Sequence, residues 1–111
     1  MTPAGTSERT DAGLNDVLTD DEIAGLSEIF AALSDPTRVR IIYAIGATER
    51  SVGDIARMLG LSEPLVSQHL RRLRTLRIAR MRAQGRFRYY QLDDDHIETL
   101  LSVCLDHVRG G

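Results

Sequence analysis

At 111 residues, with 42% apolar side chains, 5% aromatics and no Trp, the chain is long enough for one aliphatic core and too short for two. No window approaches the ~18 uninterrupted apolar residues of a membrane helix, and polar, acidic residues stand where a secretory signal would be apolar, so a cytoplasmic protein without a membrane partner is expected. The single cysteine, Cys104, excludes an internal disulfide and suits a reducing compartment. The net charge of −2 hides a segregation: Met1 to Ser34 holds seven acids and one Arg, Ser62 to Tyr90 holds eight Arg and only Glu63, and Gln91 to Gly111 holds five acids and Arg109. A basic block of that kind is the footprint of a phosphate-binding surface, or else a solvated arginine face.

Residues 1–18 are rich in Thr, Ser, Gly and Asp and read as a mobile arm with a short helix near Leu14 to Leu18; residues 19–109 read as the folded domain. Thr19 and Glu22 have capping-box spacing, and Ile23, Leu26, Ile29, Phe30 and Leu33 follow at helical intervals, predicting a helix from about Asp20 to Leu33. Asp35-Pro36 starts a second helix, carrying Val39, Ile41, Ile42, Tyr43 and Ile45 and ending near Gly46. Ser51 and Asp54 open a short helix that stops at Gly60, and Ser62 caps the next, whose inner side is Leu65, Val66, His69, Leu70 and Leu73. Two short helices joined by the tight turn Gly60-Leu61-Ser62 form a candidate helix-turn-helix. After Leu76 the period becomes two, with Gln84-Gly85 as a turn, so a two-stranded β-hairpin tipped with arginines is expected. Asp93 is placed to cap a last helix carrying Ile97, Leu100, Leu101, Val103, Cys104, Leu105 and Val108. The expected fold is mostly α with one hairpin, an α+β winged helix-turn-helix.

The helix that begins at Ser62 leaves Glu63, Ser67, Gln68, Arg71, Arg72 and Arg74 outside its apolar stripe. Gln and Arg make bidentate contacts with adenine and guanine edges, while Ser and the remaining Arg hold phosphates. Gln84, Arg86 and Arg88 let the hairpin reach an adjacent groove or the backbone. His69 is read as a packing or phosphate-contact residue. These eleven positions, Ser62 included, are the candidate DNA-binding set.

Three strings, Ala31-Leu-Ser-Asp-Pro-Thr-Arg-Val-Arg-Ile41, Leu65-Val-Ser-Gln-His-Leu-Arg-Arg-Leu73 and Gly85-Arg-Phe-Arg-Tyr-Tyr-Gln-Leu92, together resemble the ArsR-SmtB family of metal-responsive repressors over about residues 20 to 108. The resemblance implies a homodimer with paired terminal helices that binds operator DNA and is released when an effector, often a metal ion, binds. His96 and His107 lie eleven positions apart, which on a helix returns to within ~20° of one face at ~16 Å separation. One ion cannot bridge them within a helix, but antiparallel pairing with a second copy brings His96 of one chain to His107 of the other, giving two equivalent sites. Asp94 with His96, completed by the other chain's His107, offers three N/O ligands suited to Zn²⁺ or another divalent transition metal such as cobalt or nickel. This arrangement is similar to the family's terminal-helix site, whose spacing puts the fourth ligand on Gly110, which has no side chain. A water, Asp106, Glu98 or Cys104 could stand in; the pairing register sets Cys104 opposite Thr99, favouring a packing role for it. Where relatives that sense soft ions carry Cys-Val-Cys-Asp, this chain has Ser51-Val-Gly-Asp54, so those ions lose their ligands there.

Two other readings compete: a regulator of the same fold that senses no metal or a non-metal signal, and a protein-interaction module whose arginine face meets an acidic partner. Three scattered His, one Cys and no nucleophile–base arrangement give catalysis nothing to work with, so no enzymatic activity is expected.

Overall fold

The computed structural model describes residues 17–111; the helix read near Leu14 and almost all of the 1–18 arm lie outside the described residues. The chain divides into two compact units, Met1–Ala31 and Ala32–Gly111. The first contains nearly all of α1 (Asp20–Leu33), whose start is the capping box read from sequence: Glu22 N donates to Thr19 Oγ1 at 3.1 Å and Thr19 N to Glu22 Oε1 at 2.9 Å.

The second unit runs α2 (Pro36–Ala47), β1 (Arg50–Ser51), α3 (Val52–Leu59), α4 (Glu63–Thr75), β2 (Ala79–Gln84), β3 (Phe87–Leu92) and α5 (His96–Val108). Its helix starts follow local chemistry. Asp35 Oδ1 accepts from the N–H groups of Thr37 and Arg38 at 2.8 and 3.1 Å, with Pro36 in the first turn. Ser51 Oγ accepts from Asp54 N at 3.1 Å and Ser62 Oγ from Leu65 N at 3.3 Å. Between α3 and α4 the chain turns at Gly60, whose φ of +67° is left-handed backbone that a side chain would strain. The core is aliphatic: Ile41, Ile42 and Ile45 of α2, Ile55 of α3, and Val66, Leu70 and Leu73 of α4 are sealed together with Ile78 ahead of β2. Burying that much apolar surface at one helix junction fixes the α3–α4 crossing, and so the direction in which α4 presents its polar side.

The expected two-stranded hairpin, β2–β3, forms part of a larger sheet. The sheet has three antiparallel strands in the order β1-β3-β2, with Arg50 opposite Tyr90 and Ser51 opposite Tyr89. A two-residue strand leading straight into a helix cap carries no alternation, so nothing local announces it. The hairpin turn is Gly85-Arg86, with Gln84 paired to Phe87, rather than Gln84-Gly85. Gly85 has φ +60° while Arg86 has no positive φ, the pattern of a type II′ turn. Asp93 does not cap α5; its N–H bonds Ile78 O at 2.9 Å, and Asp94 Oδ1 instead accepts from His96 N at 2.9 Å. None of the residues of α5 is buried, although the helix is largely apolar. Between α5 and α2 remains a cavity of about 240 Å³ lined by Ile42, Tyr43, Gly46, Leu92, Glu98 and Leu101 among others.

Candidate nucleic-acid interface and metal-ligand residues

Helical spacing puts Glu63, Ser67, Arg71 and Arg74 on one stripe of α4, with Gln68 and Arg72 on the adjoining one. Sheet alternation sorts the wing in the same way. Arg80, Arg82, Gln84, Phe87, Tyr89 and Gln91 share one face, while Ala79, Met81, Ala83, Arg88, Tyr90 and Leu92 share the other. Ala79 and Tyr90 are buried, so the second face is the inner one and carries Arg88 towards the helices. There Ser67, Arg71 and Arg74 of α4 and Arg88 of β3 line one concavity of about 320 Å³ with Val52 and Tyr90. Three guanidinium groups around one open hollow make a strong anion-binding surface. Gln68, Arg71, Arg72, Arg74 and Arg86 are exposed, as base or phosphate contacts must be.

The remaining members of the sequence-derived set sit differently. Ser62 spends its hydroxyl on the start of α4. Glu63 Oε2 lies over Gly53 at the start of α3, near Arg57. Gln84 is on the outer wing face, where its Oε1 accepts from Arg82 Nη1 at 2.6 Å. His69 is half-buried, its Nδ1 3.5 Å from Arg38 Nη1. Arg38 also donates to Ala32 O at 2.9 Å and pairs with Asp35 at 3.6 Å. Bonds from the Arg38 and Thr37 N–H groups and the nearby Arg38 charge hold the Asp35 carboxyl below its ordinary range.

A second ion pair was not legible in the sequence. Arg82 donates from Nε and Nη2 to Glu49 Oε2 and Oε1 at 3.0 and 2.8 Å, across 33 positions of chain. That bidentate bond lowers the Glu49 pKa and raises that of Arg82. The Arg82 guanidinium also lies 4.9 Å from the centre of the Tyr89 ring.

Of the candidate metal-ligand residues, Asp94 and His96 come together at the start of α5, with Asp94 Oδ2 3.1 Å from His96 Nδ1 and the His96 side chain 84% exposed. His107 is exposed in the last turn of the same helix. Among the described residues no three His, Cys, Asp or Glu side chains of one protomer converge on a metal position. Gly110 has φ +79° and follows the end of α5 with its N–H bonded to His107 O at 3.1 Å, so it serves as a helix terminator. Cys104 is exposed in the protomer.

The profile of the arsR family of bacterial regulatory proteins matches residues 35–80, which span α2 to the start of β2. A Staphylococcus aureus cadmium resistance transcriptional regulatory protein CadC homologue is 40% identical over 85 residues, which are 76% of this chain and 70% of that protein. The chain belongs to the arsR family. A transcriptional repressor SmtB homologue of Synechocystis is 37% identical over 94 residues, 85% of this chain and 71% of the relative. The crystal structure of NolR from Sinorhizobium fredii superposes with a TM-score of 0.73 at 27% identity, covering 82% of this chain and 90% of that one. This arsR-family chain therefore has the winged helix-turn-helix fold, in which α3 and α4 are the helix-turn-helix and β2–β3 the wing, and it is a transcriptional regulator rather than an enzyme.

Proposed function

We propose that this chain is a homodimeric repressor that holds operator DNA through α4 and the wing and releases it when a divalent transition metal ion binds between the two α5 helices. The observation that carries the DNA-binding reading is the single hollow shared by Ser67, Arg71, Arg74 and Arg88. Two elements distant in sequence, one able to enter a major groove and one able to lie along the flanking backbone, present their arginines to the same space. Gln68 and Arg72 then read bases, Arg71, Arg74, Arg86 and Arg88 hold phosphates, and His69 packs beside Arg38. No helix among the described residues is long and apolar enough to cross a membrane, and the reading places the repressor in the cytoplasm with its DNA.

The dimer reading rests on α5, a thirteen-residue apolar helix that its own chain leaves without one buried residue. Val103, within ~20° of His96 around the helix, is 63% exposed on the face that a second copy covers. The donor set fits a borderline divalent ion: Asp94 and His96 are adjacent, exposed N/O donors, and the partner's His107 supplies the third. A bound ion would favour one arrangement of the two protomers, and with it one spacing of the two α4 helices. Fluorescence anisotropy on a duplex selected by the protein from a random pool tests both parts. Tight binding that is lost on adding Zn²⁺, and restored by a chelator, is the expected result. Equal affinity for selected and scrambled duplexes overturns the operator reading, and specific binding indifferent to zinc, cobalt and nickel overturns the metal reading.

A further inference from the structure

The wing is attached to the rest of its unit by very little ladder. β1 contributes two residues, so only Arg50–Tyr90 and Ser51–Tyr89 tie the hairpin to the chain that enters α3. The base of the hairpin is buried at Ala79 and Tyr90, whereas residues 82–88 around its tip are exposed. On the outer face the register adds a second fastening. Glu49 sits one residue before β1, Tyr89 is in the middle strand, and Arg82, opposite Tyr89, is in the far strand. The Glu49 carboxylate spans the sheet to grip the Arg82 guanidinium with two bonds, while that guanidinium lies over the Tyr89 ring and also bonds Gln84. The clasp runs diagonally from the residue before β1, past β3, to β2, and the tip begins just beyond Arg82. Arg88, opposite Ala83, is the first arginine past the clasp, and it is the wing's contribution to the hollow shared with Arg71 and Arg74.

We propose that Glu49 is a positioning residue for DNA binding: by clasping Arg82 it fixes the angle of the wing, so that Arg88 stays against the α4 arginines, and it withholds Arg82 itself from phosphate. This rests on the DNA-binding reading above and adds to it a residue whose charge has the wrong sign for DNA. Simple electrostatics and positioning therefore predict opposite signs. If Glu49 acted only as a negative charge near the interface, Glu49→Ala would tighten binding to any duplex. As a positioning residue its loss weakens the selected duplex about fivefold, while the scrambled duplex binds as well as before or better and with a steeper salt dependence, because the freed Arg82 adds a phosphate contact.

The experiment measures wild type, Glu49→Ala, Arg82→Ala and the exchanged pair Glu49→Arg/Arg82→Glu on both duplexes across a salt series, with amide hydrogen exchange of residues 83–88 in the free proteins. Arg82→Ala should leave the salt slope of wild type unchanged while weakening the selected duplex. The exchanged pair keeps the net charge and should recover most of the lost discrimination. Faster exchange at the hairpin tip in both single variants, reversed in the exchanged pair, is expected without DNA. Tighter binding of both duplexes by Glu49→Ala, a salt slope reduced by Arg82→Ala, or unaltered tip exchange overturns the proposal. If no form prefers the selected duplex yet tip exchange responds as described, the clasp stands and the operator reading falls.

Discussion

Arg77 is the one non-glycine residue with positive φ among the described residues, at +60°. It closes α4 in a full Schellman arrangement, with Ile78 N bonded to Leu73 O at 2.8 Å and Arg77 N to Arg74 O at 2.9 Å. Glycine is the usual occupant because a Cβ crowds the carbonyl in left-handed backbone. Arg77→Gly should therefore be neutral to stabilising, by up to about 1 kcal/mol, in urea denaturation. A loss of stability would show that the Arg77 side chain has a partner outweighing its backbone cost. Asp35 gives a pH-dependent case. Its folded pKa lies below the ordinary 3.8, so its contribution to stability is complete above that value and drains away as pH falls through the lowered one. Comparing Asp35→Asn with wild type in denaturant from neutral pH to about pH 3 should show a stability gap that narrows with acidity. At this scale the sequence was most legible where partners lie within four residues: the caps at Thr19, Ser51 and Ser62 needed only their own neighbours. Arg38–His69 and Glu49–Arg82 join positions more than thirty apart, and no local pattern encodes such a meeting.

Elements follow the same logic. The helices could be read because period and caps agree, and α1 has the bounds that its apolar spacing predicts. β1 escaped because two residues cannot display a period. Asp93 looked like the cap of α5 as the first of three aspartates, yet β3 carries its pairing through to Asp93 N, the cap position falls on Asp95 and the first helical N–H is bonded by Asp94. Which wing residues face α4 became decidable only with the register, since Gln84 and Arg88 look equally suitable by type. In function, α4 and the wing should differ. Gln68→Ala should cost ~1–3 kcal/mol of discrimination between selected and scrambled duplexes, whereas Arg88→Ala should weaken both and flatten the salt dependence by about one phosphate contact. Competition titrations at several salt concentrations separate the two, and an unchanged slope for Arg88→Ala removes the wing from the phosphate surface. For α5, Val103→Asp should shift the protein to monomers in sedimentation while its circular dichroism keeps the helical content, because the side chain makes no buried contact in its own protomer.

For the whole molecule, the proposal separates sensing from DNA binding in space. His107→Ala should leave DNA affinity within a few fold of wild type and abolish the zinc response, with His96→Ala alike. Mixing the two variants should restore part of that response, since a heterodimer gathers both losses into one site and leaves the other whole. A mixture that recovers nothing, although heterodimers are demonstrated, would remove the intersubunit site.

The hairpin register also limits how the gene can drift. Arg88 reaches the inner face because it stands two residues from Tyr90, which is buried and paired on both sides. Inserting one residue between Arg88 and Tyr90 would turn that guanidinium to the outer face, whereas one inserted in the turn between Gly85 and Phe87 would lengthen the loop and leave Arg88 on the inner face. Functional variants of this protein should therefore tolerate single-codon insertions at the hairpin turn and reject them between Arg88 and Tyr90, a parity rule that a deep insertion scan of residues 83–90 can read directly.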